Sequence, residues 1–313
     1  MAGPAASSVR TVFIGTSDFA AAVLLRLGSS AYRPVLVVTR PDRPQGRGRR
    51  LQPPPVLAAA VALGLQALQP SSVNDPDVFS EIRSRRPQAL VVCAFGEIIR
   101  EPLLSLVPVL NVHPSLLPRW RGAAPIERAL LAGDELTGVS IMRLTGGLDS
   151  GPVCLVEAVA ITAEDDYGSL AARLEQVGAA LLVRALEEQP PCTEQPEQGI
   201  SYAAKLAAAE RRIDPATPAE QIARQVRALS PHIGAWVELD EVGRMTLWRV
   251  RPLAGGVAAS QKPGTVVSEG RRPVLVCGSG ALELLEVQPA GRRRMDGSSW
   301  LYGRAKADSA GAR

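Results

Sequence analysis

Short apolar runs alternate with segments of helical period through the first 186 residues, and this alternation restricts the fold more than any other feature of the chain. Thr11–Gly15 (TVFIG), Pro34–Thr39 (PVLVVT), Ala89–Phe95 (ALVVCAF) and Val109–His113 (VLNVH) are five to seven residues long and largely apolar. Runs of that length read as strands buried on both faces. Between them, Ser17–Leu27 puts Phe19, Val23, Leu24 and Leu27 on one side of a helix that Ser17 or Asp18 would cap. Val56–Leu63, Pro76–Arg85, Pro125–Ala132 and Tyr167–Leu186 read as further helices, and Gly138–Leu144 and Val153–Ile161 as further strands. The alternation predicts an α/β fold with a mostly parallel sheet covered on both faces. Such sheets bind ligands beyond the carboxyl ends of their strands, so chemistry is expected along that edge.

The pattern stops at Glu187–Gly199 (EEQPPCTEQPEQG), which is rich in Pro, Glu and Gln and has no apolar period. It reads as a linker. Beyond it, the helix Pro218–Ala228 is followed by short runs near Ala235–Leu239, Arg244–Val250, Gly264–Ser268, Pro273–Cys277 and Leu282–Gln288. Short strands at regular spacing predict a small barrel or sandwich. The expected organisation is therefore a first domain over 1–189, a linker over 190–209 and a β domain over 210–313, with a disordered tail after about Gly303.

Charge separates the same regions. Residues 1–190 hold 18 Arg, no Lys and 18 acidic residues, whereas the rest hold 17 basic and 13 acidic ones, so the net charge of +4 lies in the second region. A basic module suits a polyanionic partner. The chain begins without the pattern of a secretory signal, and no stretch has the roughly 18 apolar residues that a membrane helix needs. Cys93, Cys154, Cys192 and Cys277 are far apart, so reduced thiols in a cytoplasmic protein are expected.

The chain has two histidines, His113 and His232. Asn111 and His113 share one strand, and alternation points their side chains the same way. The following Pro114-Ser115-Leu116-Leu117-Pro118 should be an irregular loop. Asp149 lies in the Gly-rich run Thr145–Pro152. Taken singly, these residues are ordinary strand-end and turn residues. Arg40–Arg50 (RPDRPQGRGRR) carries five Arg after the second strand and is expected to be an exposed loop without regular structure. Its Gly-x-Gly lacks the third Gly and the helix placement of a dinucleotide fingerprint, and the chain has no phosphate loop.

Together the segments VFIGTSDFA (12–20), VVTRPDRPQGRGRRLQPPPV (37–56), NVHPSLLPRWRGAAPIERALLAGD (111–134), TGGLDSGPV (145–153) and YAAKLAAAERRIDPATPAEQIARQVRALSPHIGAW (202–236) resemble the methionyl-tRNA formyltransferase family. The resemblance covers nearly the whole chain. It implies a Rossmann-like formyltransferase domain joined to a barrel of OB type. It also implies Asn111, His113 and Asp149 as the catalytic set, with no metal. Phe95, Gly96, Ser115, Leu116, Leu117 and Pro118 would line the site for 10-formyltetrahydrofolate. Arg43, Arg47, Arg49 and Arg50, the ERRID run at 210–214 and the basic second region would favour initiator methionyl-tRNA as acceptor. Relatives with the same signature formylate glycinamide ribotide or nucleotide sugars, or hydrolyse the folate, so the acceptor is less firmly implied than the reaction. An RNA-binding protein without catalysis would account for the charge and leave Asn111, His113 and Asp149 unexplained. Where the family carries an apolar run, this chain has Glu97-Ile98-Ile99-Arg100. A monomer is expected.

Overall fold

The computed structural model describes residues 9–45, 50–240, 242–253 and 261–311. The first apolar run is strand β1 (Thr11–Gly15), buried at all five positions. The Ser17 hydroxyl accepts from the Ala20 N–H and caps α1 (Asp18–Gly28), which buries Phe19, Val23, Leu24 and Leu27 as their spacing predicts. There follow β2 (Leu36–Val38), β3 (Arg43–Gln45), β4 (Arg50–Gln52), α2 (Pro55–Ala62), β5 (Ala67–Leu68) and α3 (Pro76–Ser84), the last capped by Asp75. Next come β6 (Ala89–Cys93), α4 (Leu103–Leu106), β7 (Val109–His113), β8 (Arg121–Gly122), α5 (Pro125–Ala132), β9 (Leu136–Arg143), β10 (Val153–Ala160), α6 (Tyr167–Glu188) and β11 (Tyr202–Ala203).

Seven of these strands form one sheet in the order β10-β9-β7-β6-β1-β2-β5. β5, β2, β1, β6 and β7 are parallel, and β9 and β10 complete the edge in antiparallel pairs. The order reverses between β1 and β6, which makes a switch point there, and sheets of this kind bind ligands beyond the carboxyl ends of the strands at such a point. Gly15 ends β1 there. A Cβ on it would lie 2.8 Å from the Cys93 carbonyl oxygen, so the close approach of the two strand ends requires glycine.

A 3-10 turn (Ala208–Arg211) and α7 (Ala219–Leu229) lead into β12 (Ala235–Leu239), β13 (Gly243–Leu253), β14 (Val266–Glu269), β15 (Arg272–Val276), β16 (Ala281–Pro289), β17 (Met295–Asp296) and α8 (Gly297–Gly311). These strands form one antiparallel sheet, β12-β13-β16-β15-β14, with β17 added to β16. Register shifts between Leu247 and Val250 bend β13. The sheet curls around one core, in which Ile222, Val226 and Leu229 of α7 meet Val237, Leu247, Leu275, Leu284 and Val287. Among the described residues β12 and β14 do not pair, so the strand order is that of a curled open sheet.

By contact density the chain divides into two units. One comprises residues up to Pro125 with Leu136–Ala160 and Ala171–Ala204, and the other comprises Ile126–Glu135, Ile161–Leu170 and the chain from Lys205. Among the described residues no helix is long and apolar enough to cross a membrane.

Three expectations are corrected. Residues 43–45 and 50–52 are not irregular but pair as an antiparallel hairpin, with Arg43 opposite Gln52 and Gln45 opposite Arg50. Cross-strand backbone bonds there need no apolar core, and the charges point to solvent. Cys154 and Cys192 are joined in a disulfide, 38 residues apart in sequence. Backbone pairing of Val153 with Thr193 brings them together, a long-range effect that spacing does not reveal. Cys93 and Cys277 are free and buried. Finally, the tail does not lose structure at Gly303, because α8 runs on to Gly311.

Candidate active site

Asn111 and His113 project from the last residues of β7 on the same side, 8% and 4% exposed. Asp149 reaches them from the turn between β9 and β10. Asn111 Nδ2 donates to Asp149 Oδ1 over 3.3 Å, and His113 Nδ1 lies 3.8 Å from Asp149 Oδ2. The Gly122 N–H donates to the same Oδ2 over 2.9 Å. An amide, an imidazole and a carboxylate that are 38 residues apart at the extremes thus meet in one cluster beside the switch point.

The hydrogen bonds fix the imidazole tautomer. His113 Nε2 lies 2.9 Å from the Trp120 carbonyl oxygen. A carbonyl only accepts, so Nε2 carries a hydrogen. In the neutral ring Nδ1 is then the basic nitrogen, and it is the one facing Asp149.

The loop after β7 is held from several sides. Ser115 is fully buried, its hydroxyl donating to the Arg119 carbonyl over 2.7 Å while its own carbonyl accepts from Ser140 Oγ over 2.7 Å. Ser115 therefore shapes the loop, and Leu116, Leu117 and Pro118 remain half-buried along it. Trp120 and Asp149 both have positive φ, +62° and +43°, conformations that persist only when the surroundings enforce them. Gly122 has φ +123°, and a Cβ there would lie 2.8 Å from the Ala203 carbonyl oxygen. Glycine is required at the position whose N–H holds Asp149.

Phe95 is buried and its carbonyl accepts from Thr16 Oγ1 over 3.1 Å, which ties the carboxyl end of β6 to that of β1. Gly96 follows with φ +79° and is exposed. Cys93, at the end of β6, is no nucleophile: burial pushes its thiol up, and nearby Glu175 adds to the shift.

Residues 9–186 match the family model described as formyl transferase, and residues 205–305 match that of the formyl transferase C-terminal domain. The chain belongs to the formyl transferase family. It is 45% identical over 312 residues to the methionyl-tRNA formyltransferase of Halorhodospira halophila, covering 95% of this chain and 97% of that protein. It is 43% identical to the methionyl-tRNA formyltransferase of Symbiobacterium thermophilum, covering 94% and 92%. The fold is shared with HypX from Aquifex aeolicus in complex with tetrahydrofolic acid, at TM-score 0.65 and 16% identity over 94% of this chain and 47% of that one. It is also shared with the N-formyltransferase from Helicobacter canadensis in complex with folinic acid and dTDP-3-aminofucose, at TM-score 0.63 and 12% identity over 88% and 98%.

In this formyl transferase the charged departure at Glu97 has a structural answer. Glu97 pairs with Arg40 and accepts from Ser72 Oγ at 2.5 Å and from Asn74 Nδ2 and the Val73 N–H at 3.3 Å. The charge is satisfied by 72–74 and Arg40, and Phe95 beside it stays buried. The basic residues singled out from sequence divide differently. Arg43 and Arg50 are exposed on the hairpin, while Arg47 and Arg49 lie outside the described residues. The ERRID run is occupied with internal bonds: Glu210 pairs with Arg128, Arg211 Nη2 donates to the Ile233 carbonyl over 2.7 Å, and Arg212 lies over the Trp236 ring.

Sequence reasoning missed the groups that hold the cluster. They are the Trp120 carbonyl, the Gly122 N–H, Arg121, and Gln195 from the segment read as a linker. Backbone groups have no sequence signal, and a Gln among Glu and Pro resembles solvent-facing filler.

Proposed function

We propose that the chain transfers the formyl group of 10-formyltetrahydrofolate to the α-amino group of methionyl-initiator tRNA. The observation that carries the reading is the Asn111–His113–Asp149 cluster at the carboxyl end of β7. Asn111 has two amide hydrogens and gives one to Asp149, leaving the other for the oxyanion that develops on the formyl oxygen. His113 accepts the amine proton at Nδ1 beside the Asp149 carboxylate, and the proton passes to N10 of the folate as the N10–formyl bond breaks and tetrahydrofolate leaves. Phe95, Gly96 and the Ser115–Pro118 loop line the folate side of the cleft.

The exposed Arg43 and Arg50, with Arg47 and Arg49 between them in sequence, grip acceptor phosphates, to which the planar guanidinium donates two bonds. The second sheet adds a basic surface, where Arg244 is exposed and lies 4.0 Å over the Trp236 ring. In this reading 1–189 is the catalytic domain, 190–209 the connection and 210–313 the tRNA-binding domain of a cytoplasmic monomer. The match to methionyl-tRNA formyltransferases over both domains supports it.

Formyl transfer from 10-formyltetrahydrofolate to charged initiator tRNA, with elongator methionyl-tRNA and free methionine as controls, tests the acceptor. Transfer to the initiator alone is expected. Folate consumption without labelled tRNA would move the protein to the hydrolase or small-acceptor relatives. Asn111→Ala should lower kcat by about 10²–10³, the usual loss for one oxyanion donor.

A further inference from the structure

Gln195 lies in the Pro- and Glu-rich stretch that follows α6, where the sequence offers no reason to expect chemistry. Its side-chain amide is nonetheless fully engaged. Nε2 donates to the Asp149 carbonyl and to the Gly151 carbonyl, each over 2.8 Å. Oε1 accepts from Arg121 Nε at 3.0 Å and from Arg121 Nη2 at 2.8 Å. Both donors and both lone pairs of the amide are thereby used.

The partners bracket Asp149. Two of Gln195's bonds hold the backbone of the turn in which Asp149 adopts φ +43°. The other two hold Arg121, the residue before the Gly122 N–H that binds the Asp149 carboxylate. One side chain therefore ties the backbone of the acid to the strand that orients its carboxylate. Gln195 is itself firmly placed. Thr193 exchanges backbone hydrogen bonds with Val153 at 2.9 and 2.8 Å, Cys192 is bridged to Cys154, and residues 201–203 pair with 121–122.

We propose that Gln195 is a positioning residue for formyl transfer, holding Asp149 in register with His113 and Asn111. The proposal rests on the reading of Asp149 as catalytic. The chemistry needs glutamine specifically. Glutamate would serve Arg121 at least as well, but it has no N–H for the two carbonyls and would set a negative charge beside the Asp149 turn. Glutamate thus separates a role in positioning Asp149 from one of merely anchoring Arg121.

The test compares the full chain with Gln195→Glu, Gln195→Ala, Asp149→Asn and the double variant Gln195→Ala/Asp149→Asn, reading kcat, both KM values, the pH profile of kcat and thermal stability. Both Gln195 variants should lose about 10–100-fold in kcat, the scale of a displacement near 1 Å in a reacting site. Their KM values should stay within about threefold, because the residue touches neither substrate. The kcat–pH profile should shift with them, and in the Asp149→Asn background Gln195→Ala should cost almost nothing further. Wild-type kcat in Gln195→Glu would overturn the proposal. So would a full, additive loss in the double variant, a readout that survives if one single variant folds poorly. Turnover retained in Asp149→Asn would instead sink the reading of the acid, and this proposal with it.

Discussion

Two stretches of the chain share a composition that forms no apolar core, yet they behave differently. Residues 40–52 and 190–203 are both rich in Pro and polar groups and poor in apolar period. The first pairs with itself as a hairpin whose described side chains at 43, 44, 50, 51 and 52 are exposed. The second is bonded to the candidate active site at Val153, Asp149, Gly151, Arg121 and Trp120. Composition reports that neither segment buries apolar area, and it is silent on whether polar side chains find backbone partners elsewhere. A segment can be indispensable without being hydrophobic, because each satisfied buried bond also removes the cost of an orphaned group.

The sharpest way to break this comparison is at Gly122, where the second stretch meets the loop that follows β7. Gly122→Ala places a Cβ 2.8 Å from the Ala203 carbonyl at φ +123°. Backbone strain of about 1–3 kcal/mol is expected. The strand must then move, and the Asp149 carboxylate loses its 2.9 Å N–H donor. We expect kcat to fall by about 10²-fold, with a lowered thermal midpoint. A variant with unchanged kcat and midpoint would show that the clip by residues 201–203 is incidental.

The hairpin should respond in the opposite parameter. Arg43→Ala/Arg50→Ala removes two exposed charges from a segment that the described contacts leave outside the Asn111–His113–Asp149 cluster. The KM for the tRNA acceptor should rise by about 5–30-fold, with kcat and the folate KM nearly constant, and the salt dependence of binding should weaken by roughly two phosphate contacts. A fall in kcat at constant acceptor KM would place the hairpin in catalysis and erase the contrast.

Much of the fold was legible because it depends on period. β1, β7, β12 and α5 have the ends that their apolar patterns predict, and the mostly parallel sheet follows from the alternation of strands with helices. Asn111 and His113 were legible as a pair because alternation along one strand fixes their relative direction. Asp149 could be suspected only as a loop residue, and the family resemblance supplied its connection to the others. The remaining parts are long-range and polar. The Cys154–Cys192 bridge, the β8–β11 pairing and Gln195 depend on where a stretch without apolar period comes to rest. The same holds for Glu97, whose charge looked out of place until Arg40, Ser72 and Asn74 were seen around it.

The smallest effect sharpens the distinction between arginines that face a partner and charges that bind their own chain. Glu210 belongs to the run whose charge suggested RNA, yet its carboxylate takes a two-point bond from Arg128, Nη1 at 2.5 Å and Nη2 at 3.1 Å, and accepts the Ala207 N–H at 2.8 Å. The Arg128 bonds, and next the Ala207 bond, hold its pKa below the ordinary value. A carboxylate depressed in the folded state stabilises above its unfolded pKa, and that contribution is lost as pH falls through the folded value. The side chain is 37% exposed, so solvent screening limits the pair to about 0.2–1 kcal/mol. Glu210→Gln should therefore cost that much near pH 7 and progressively less as the pH is lowered below the ordinary carboxylate range, in denaturant titrations across that range. Its acceptor KM should stay within about twofold, because the glutamine amide oxygen can still accept from Arg128, whose side chain is mostly buried. A large change in acceptor KM with unchanged stability would instead assign Glu210 to the acceptor surface and return the ERRID run to the role its charge first suggested.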